Sequence, residues 1–245
     1  ASVFLTNNAH IIVNGNKTTI GYEGKATIDL STGGTSFKCY DHDVTITEKG
    51  IVNLDGATFN VAATGENAVK LVNNGTVNVK GNSSFDVKTI EGNAIVLNNA
   101  TLANAYIGGA VNAFGTNNIS GTSTITGFFS VGYNEGNYET PVTLNITGDF
   151  NGANVAVGND DDQSINHVLN VGVDDVRTKA YFGQLIANTE VNIKNADVTR
   201  GYTLVRGNFS VTDSEITLTQ TAYNTYLCRN AEVVIDNSTF ALGAY

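Results

Sequence analysis

The sequence predicts an all-β chain wound as an irregular parallel β-helix, and three observations carry that reading. A weak phrase returns along the chain: apolar–x–apolar, a polar or glycine corner, then a second short apolar stretch. It appears in VNLDGATFNV (52–61), TVNVKGNSSFDV (76–87), TLNITGDFNGANVAV (143–157), EVNIKNADVTRGYTLV (190–205), NFSVTDSEITLT (208–219) and EVVIDNSTFALG (232–243). Within a phrase the apolar residues alternate with period two, so Val52 and Leu54 share one face, and Phe59 and Val61 share one after the corner. That is the pattern of half-buried strands. The corners are Asn, Gly, Asp, Ser and Thr, which tolerate tight or left-handed backbone. One such unit cannot bury its own apolar face, so the units must stack.

The elements follow in chain order. IIVNGN (11–16), ATIDLSTGGTSF (26–37) and DVTITEKG (43–50) read as strands without a clear phase. From there the second apolar residue of each phrase gives the anchors Leu54, Val79, Leu97, Ile119, Ile146, Val171, Ile193, Val211 and Ile235. The steps between successive anchors are uneven, shortest from Val79 to Leu97 and from Ile193 to Val211 and longest from Ile119 to Ile146. That unevenness excludes a hexapeptide solenoid, and the phrases carry no leucine-rich lattice. They suit coils of two or three short strands with insertions in the turns. Roughly ten coils at about 4.8 Å each make a rod of about 50 Å. No amphipathic helix is expected; NAVKLVNN (67–74) alternates better than it spirals. The sequence holds 33 Asn, enough for side-chain amides to stack in hydrogen-bonded ladders from coil to coil.

Only one proline, Pro141, occurs, and no linker interrupts the phrases, so residues 1–245 form one expected domain. The last phrase ends without a polar cap, and the expectation is a segment of a longer surface protein. A net charge of −10 and a pI near 4.6 argue against nucleic acid, which needs a basic stripe. No run is long and apolar enough for a membrane span. Cys39 and Cys228 lie too many coils apart to bridge, so both are expected as free thiols.

Phrases such as GTVNVKGNSSFDV (75–87) and NISGTSTITG (118–127) resemble the passenger regions of autotransporter adhesins and related pectin-lyase-like surface proteins. The resemblance runs from about residue 26 to the end. It implies a right-handed parallel β-helix exposed on a bacterial surface, or secreted, used for adhesion or as a stalk. It carries over no catalytic residue.

That fold also houses polysaccharide lyases and glycoside hydrolases, which use calcium or clustered Asp residues. The acidic candidates are Asp160, Asp161 and Asp162, then Asp174-Asp175, and Asp41-His42-Asp43. The first run lacks fixed ligand spacing and reads as a solvated turn. Strand alternation separates the side chains of the last. His10 and His167 have no sequence-adjacent Ser or Cys to activate. No metal or cofactor is expected, and binding is favoured over catalysis.

One distribution points to a binding surface. All four arginines lie in the last third, and the step from Arg177 to Arg200 equals that from Arg206 to Arg229. Tyr181, Tyr202 and Tyr223 also follow one another at equal steps, close to one coil. Coil-length spacing stacks such side chains into a ladder, and an exposed Tyr/Arg stripe offers contact area and directional hydrogen bonds. Arg177, Arg200, Tyr202, Tyr223 and Arg229 are therefore the expected binding residues, with a host protein or glycan as partner. The alternative for the same residues is an internal aromatic stack with arginines paired to Asp174, Asp175 and Asp197. The alternatives for the function are a non-binding stalk and a polysaccharide-degrading enzyme.

Overall fold

The computed structural model describes residues 1–14, 17–31, 33–219 and 224–242. Among them every regular element is a β-strand and every strand pairing is parallel. Paired strands lie about one phrase apart in the sequence. The closest partners include Ile95 and Val111, and the most distant include Phe150 and Ala180. All-parallel pairing at this offset, with stacked asparagines, is consistent with a β-solenoid.

The described strands fall into four faces. Face A starts with Ser2–Leu5, Ala26–Leu30 and Gly50–Asp55 and runs through Val111–Phe114 to Thr225–Leu227. Face B starts with His10–Val13, Ser36–Tyr40 and Thr58–Ala62 and reaches Glu215–Leu218 and Thr239–Phe240. Face C is short: Thr18–Ile20, Val44–Ile46, Leu71–Asn73 and Ile90–Gly92. Face D begins at 100–103 and continues through Thr116–Ser120, Thr143–Ile146, Val168–Val171, Glu190–Lys194, Asn208–Thr212 and Glu232–Asp236.

The chain thus turns A–B–C in its first third and A–D–B afterwards. The exchange moves the anchors from one face to another, while insertions in the turns, such as 132–142 between Ile119 and Ile146, make their spacing uneven. Leu54, Val79 and Leu97 are register partners on face A, whereas Ile119, Ile146, Val171, Ile193, Val211 and Ile235 are partners on face D. All are buried except Ile235, which is 46% exposed. Among the described residues no strand stacks beyond its own, so one side of Ile235 meets solvent.

After face C ends, the turn from B to A shortens to one or two residues, and glycine stands there at 127, 183 and 201, with Ala153 at the same corner. A β-carbon on Gly127 would lie 2.3 Å from the Gly109 carbonyl carbon, one on Gly183 2.4 Å from the Ala153 oxygen, and one on Gly201 2.2 Å from the Gly183 oxygen. Here glycine is required by the backbone one strand below, not by its own dihedral angles.

The core is a continuous run of small aliphatics and phenylalanines. Phe37, Phe59 and Phe85 stack at 5.1 and 5.4 Å on the inner side of face B. On the outer side of face D the amides form a ladder: Asn145 donates to Asn118 (2.9 Å), Asn170 to Asn145 (2.8 Å) and Asn192 to Asn170 (3.0 Å), and Ser210 extends it to Asn192 (2.7 Å). A shorter one joins Asn78, Asn53 and Asp29 on face A. The ladders therefore occupy strand positions, where coil-to-coil register is fixed, not only the corners where sequence reasoning placed them. At the D-to-B corner buried serines do the equivalent work: Ser83, Ser123 and Ser214 each accept a backbone N–H from the strand below and donate to a carbonyl near their own corner.

Candidate functional site

The five stripe residues do not share a face. Arg177 sits at the D-to-B corner, where Nε donates to Asp197 Oδ1 at 2.7 Å and Nη1 to the Asp213 carbonyl at 2.9 Å. Tyr202 is half-buried on the outside of face A, its ring 5.6 Å from that of Tyr226. Arg229 is exposed beyond the end of face A. Tyr223 lies outside the described residues.

Arg200 is the clear departure: it is 0% exposed. It follows Ala196 and Val198 on the inward positions of face B and stands in register with the buried Phe182. Equal spacing along the sequence could not reveal this, because strand parity decides which side a residue faces. Inside, Nη2 donates to Thr225 Oγ1 at 2.9 Å and to the Ala241 carbonyl, and the guanidinium lies 4.9 Å from the Phe240 ring centroid. Among the described residues Nε has no partner. Desolvation lowers its pKa to about 10, so it remains a cation at neutral pH, and no carboxylate of the described residues pairs with it.

The acidic candidates are structural. Asp41, in left-handed backbone (φ 62°), accepts from the Thr64 amide at 2.6 Å and from the Thr64 hydroxyl, which holds its pKa below the usual range. Asp43 accepts from the Lys70 amide at 3.0 Å. Asp162 accepts from the Ser164 amide at 2.9 Å, and Asn159 Oδ1 caps Asp161 and Asp162. Among the described residues no group of three His, Cys, Asp or Glu is placed to hold a metal. Cys39 is buried and Cys228 half-buried, both unbridged, and burial raises the Cys39 pKa. One pair escaped the sequence: His10 Nδ1 is 2.8 Å from Ser36 Oγ, far away along the chain. Ser36 is 3% exposed, which closes it to a substrate.

The outer side of face B presents a different cluster. In Thr178–Ala187 residues 178, 180 and 182 are buried, so Lys179 and Tyr181 must point outward. Parallel register then builds two rows across neighbouring strands. One runs Thr122, Asp149, Lys179, Asp197 and Glu215; the other runs Tyr106, Thr124, Asn151, Tyr181, Thr199 and Thr217. Between them lies a depression of about 470 Å³ lined by Thr122, Thr124, Asp149, Asn151, Lys179, Tyr181, Asp197 and Thr199. Tyr181 is 38% exposed at its centre. Arg177 fixes Asp197 at one margin, and the Asp149 carboxylate accepts from the Lys179 amide at 3.3 Å. Farther along the second row, Lys88 Nζ covers the Tyr106 ring at 3.9 Å. A flat aromatic ring among hydroxyl, amide and carboxylate groups can stack on an apolar ring face and hydrogen-bond its polar rim. The alternation of DVRTKAYFG (175–183) contained this signal; its register partners, a full coil away on either side, did not show.

Compared with protein-family models, curated proteins and solved structures, the chain matches none of them.

Proposed function

We propose that this chain is a right-handed β-helix of roughly ten coils belonging to a bacterial surface-exposed or secreted protein, and that its work is adhesion: recognition of a glycan, or of a host protein, through an outer face. The observation that carries this reading is the Tyr181 depression on face B. Its lining is polyol-like chemistry around one partly exposed ring, supported by strands whose register is fixed on both sides. Of the original stripe, Arg177 keeps a place here, orienting Asp197. Tyr202 and Arg229 belong to other surfaces, and Arg200 to the core.

Two carboxylates and one ammonium line the depression, so an uncharged glycan fits it better than a uronate, which Asp149 and Asp197 would repel. Binding is then short-range and only weakly salt-dependent. The test is a glycan array followed by titration of the best ligand. Tyr181→Ala and Asn151→Ala lower affinity at least about tenfold, the effect of losing an aromatic anchor or its hydrogen-bonding neighbour. Lys80→Ala, on face A, leaves it unchanged. Equal binding by all three variants, or no glycan retained at all, refutes the site.

A further inference from the structure

We propose that His167 is a pH-sensitive latch that holds the 138–142 end of segment 132–142 closed and releases it on protonation. This segment and its neighbour, 158–167, are the long insertions on the A-to-D turn, which residues 188–189 make directly. His167 closes the second insertion and is 0% exposed. Its ring joins the two: Nδ1 accepts the Val142 N–H at 3.2 Å, and Nε2 lies 3.0 Å from the Tyr138 carbonyl, to which it can only donate. One nitrogen accepts and the other donates, so the bonded ring is the neutral Nε2–H tautomer.

A second proton would sit on Nδ1 and face the Val142 N–H, donor against donor. The ring packs closely on Gly132, where a β-carbon would be 2.0 Å from Nδ1, and both of its nitrogens are held. Burial depresses the imidazole pKa, and the hydrogen bond to the Tyr138 carbonyl and the field of Asp162 only partly oppose this. The other charges nearby are engaged elsewhere or in solvent: Glu190 is held by Asn166 and Asn192, while Glu135 and Glu139 are exposed. The other side-chain ties of the segment are neutral: Asn137 to the Ala113 and Ser130 carbonyls, Asn134 to Asn112, Ser130 Oγ accepting from Tyr133 and Asn134 and donating to Asn137, and Asn159 of the second insertion donating to the Tyr133 carbonyl. They do not respond to pH, which leaves the Tyr138–Val142 end as the part that opens, while Tyr133, Asn134 and Asn137 keep Asn112 and Ser130 covered.

The sign follows from linkage. The closed segment binds the proton more weakly than the open one, so closure is complete above the ordinary histidine range and weakens as pH falls. The closed-to-open ratio drops at most about tenfold per pH unit between the ordinary and the depressed pKa. The experiment is hydrogen exchange of the intact chain, corrected for intrinsic rates, from about pH 7.5 to about pH 4.5. The Val142 amide loses protection by about tenfold or more on acidification, while those of Tyr133, Asn134 and Asn137 and of Glu190–Lys194 and Asn208–Thr212 keep theirs. His167→Gln keeps one acceptor and one donor but cannot titrate, and it flattens the pH response. In the unmodified chain, imidazole nitrogen NMR shows the Nε2–H tautomer at neutral pH and its loss together with the shifts of 138–142. Loss of protection by segment and core together, a pH response retained in His167→Gln, or a ring that titrates without moving the segment each overturns the latch.

Discussion

Replacing Gly201 by alanine tests the corner that lets face B turn directly into face A. The new β-carbon would lie 2.2 Å from the Gly183 oxygen and 3.2 Å from its carbonyl carbon. Carbon–oxygen contacts of this type settle near 3.3–3.6 Å, so the two strands must part by about 1 Å here. Neither partner can yield like a side chain, because both are backbone, and Gly183 already rests on Ala153. Overpacking of this kind costs about 1–3 kcal/mol, and stretching the pairing of 184–187 with 202–205 adds about 1 kcal/mol. The stiffer unfolded chain returns about 0.4–1 kcal/mol. The expected result is a net loss of about 2–3 kcal/mol in denaturant unfolding, with hydrogen-exchange protection lost first at residues 184–187 and 202–205. Gly24→Ala is the control: nothing lies within 4 Å of its β-carbon position and its φ is not left-handed, so it is neutral or stabilising by up to about 1 kcal/mol. Equal effects of the two variants, or an unchanged Gly201→Ala midpoint, would refute the argument that inter-strand contact selects glycine here.

Asn170→Ala removes a rung that donates to Asn145 and accepts from Asn192; the expected loss is about 1–3 kcal/mol, read from chemical unfolding, and a loss no larger than for an exposed loop asparagine such as Asn230→Ala would show that the ladder is decorative. Arg200→Met exchanges a buried, uncompensated cation for an apolar chain of similar reach, so stability stays level or rises, whereas Arg200→Ala leaves a cavity and lowers it by about 2 kcal/mol or more; a melting temperature that falls equally in both would show that the charge itself holds the Thr225 and Ala241 contacts. Cys39 and Cys228 are free, so a reductant leaves the melting temperature unchanged, and a drop on reduction would reveal a bridge.

What the sequence determined was the local physics. Period-two alternation, polar corners and the absence of any helical stripe were sufficient for stacked parallel strands, because burial of one strand side is written in each phrase by itself. The anchors from Leu54 to Val211 were readable as core for the same reason. What tertiary structure decided was everything that depends on a neighbour many residues away. The exchange of face C for face D is invisible in any one phrase, yet it moves the anchors to a different face and brings Gly127, Gly183 and Gly201 against the backbone below. Arg200 and Tyr202 looked equivalent by period, but the turn at Gly201 sends one into the core and leaves the other on face A. Tyr181, Asn151 and Asp149 became one surface only when register aligned strands a full coil apart, and His167 met Tyr138 and Val142 only because two insertions leave on the same turn. A solenoid writes its core in sequence, since that interaction is repeated at every level; it writes its surface in register, which no single strand contains.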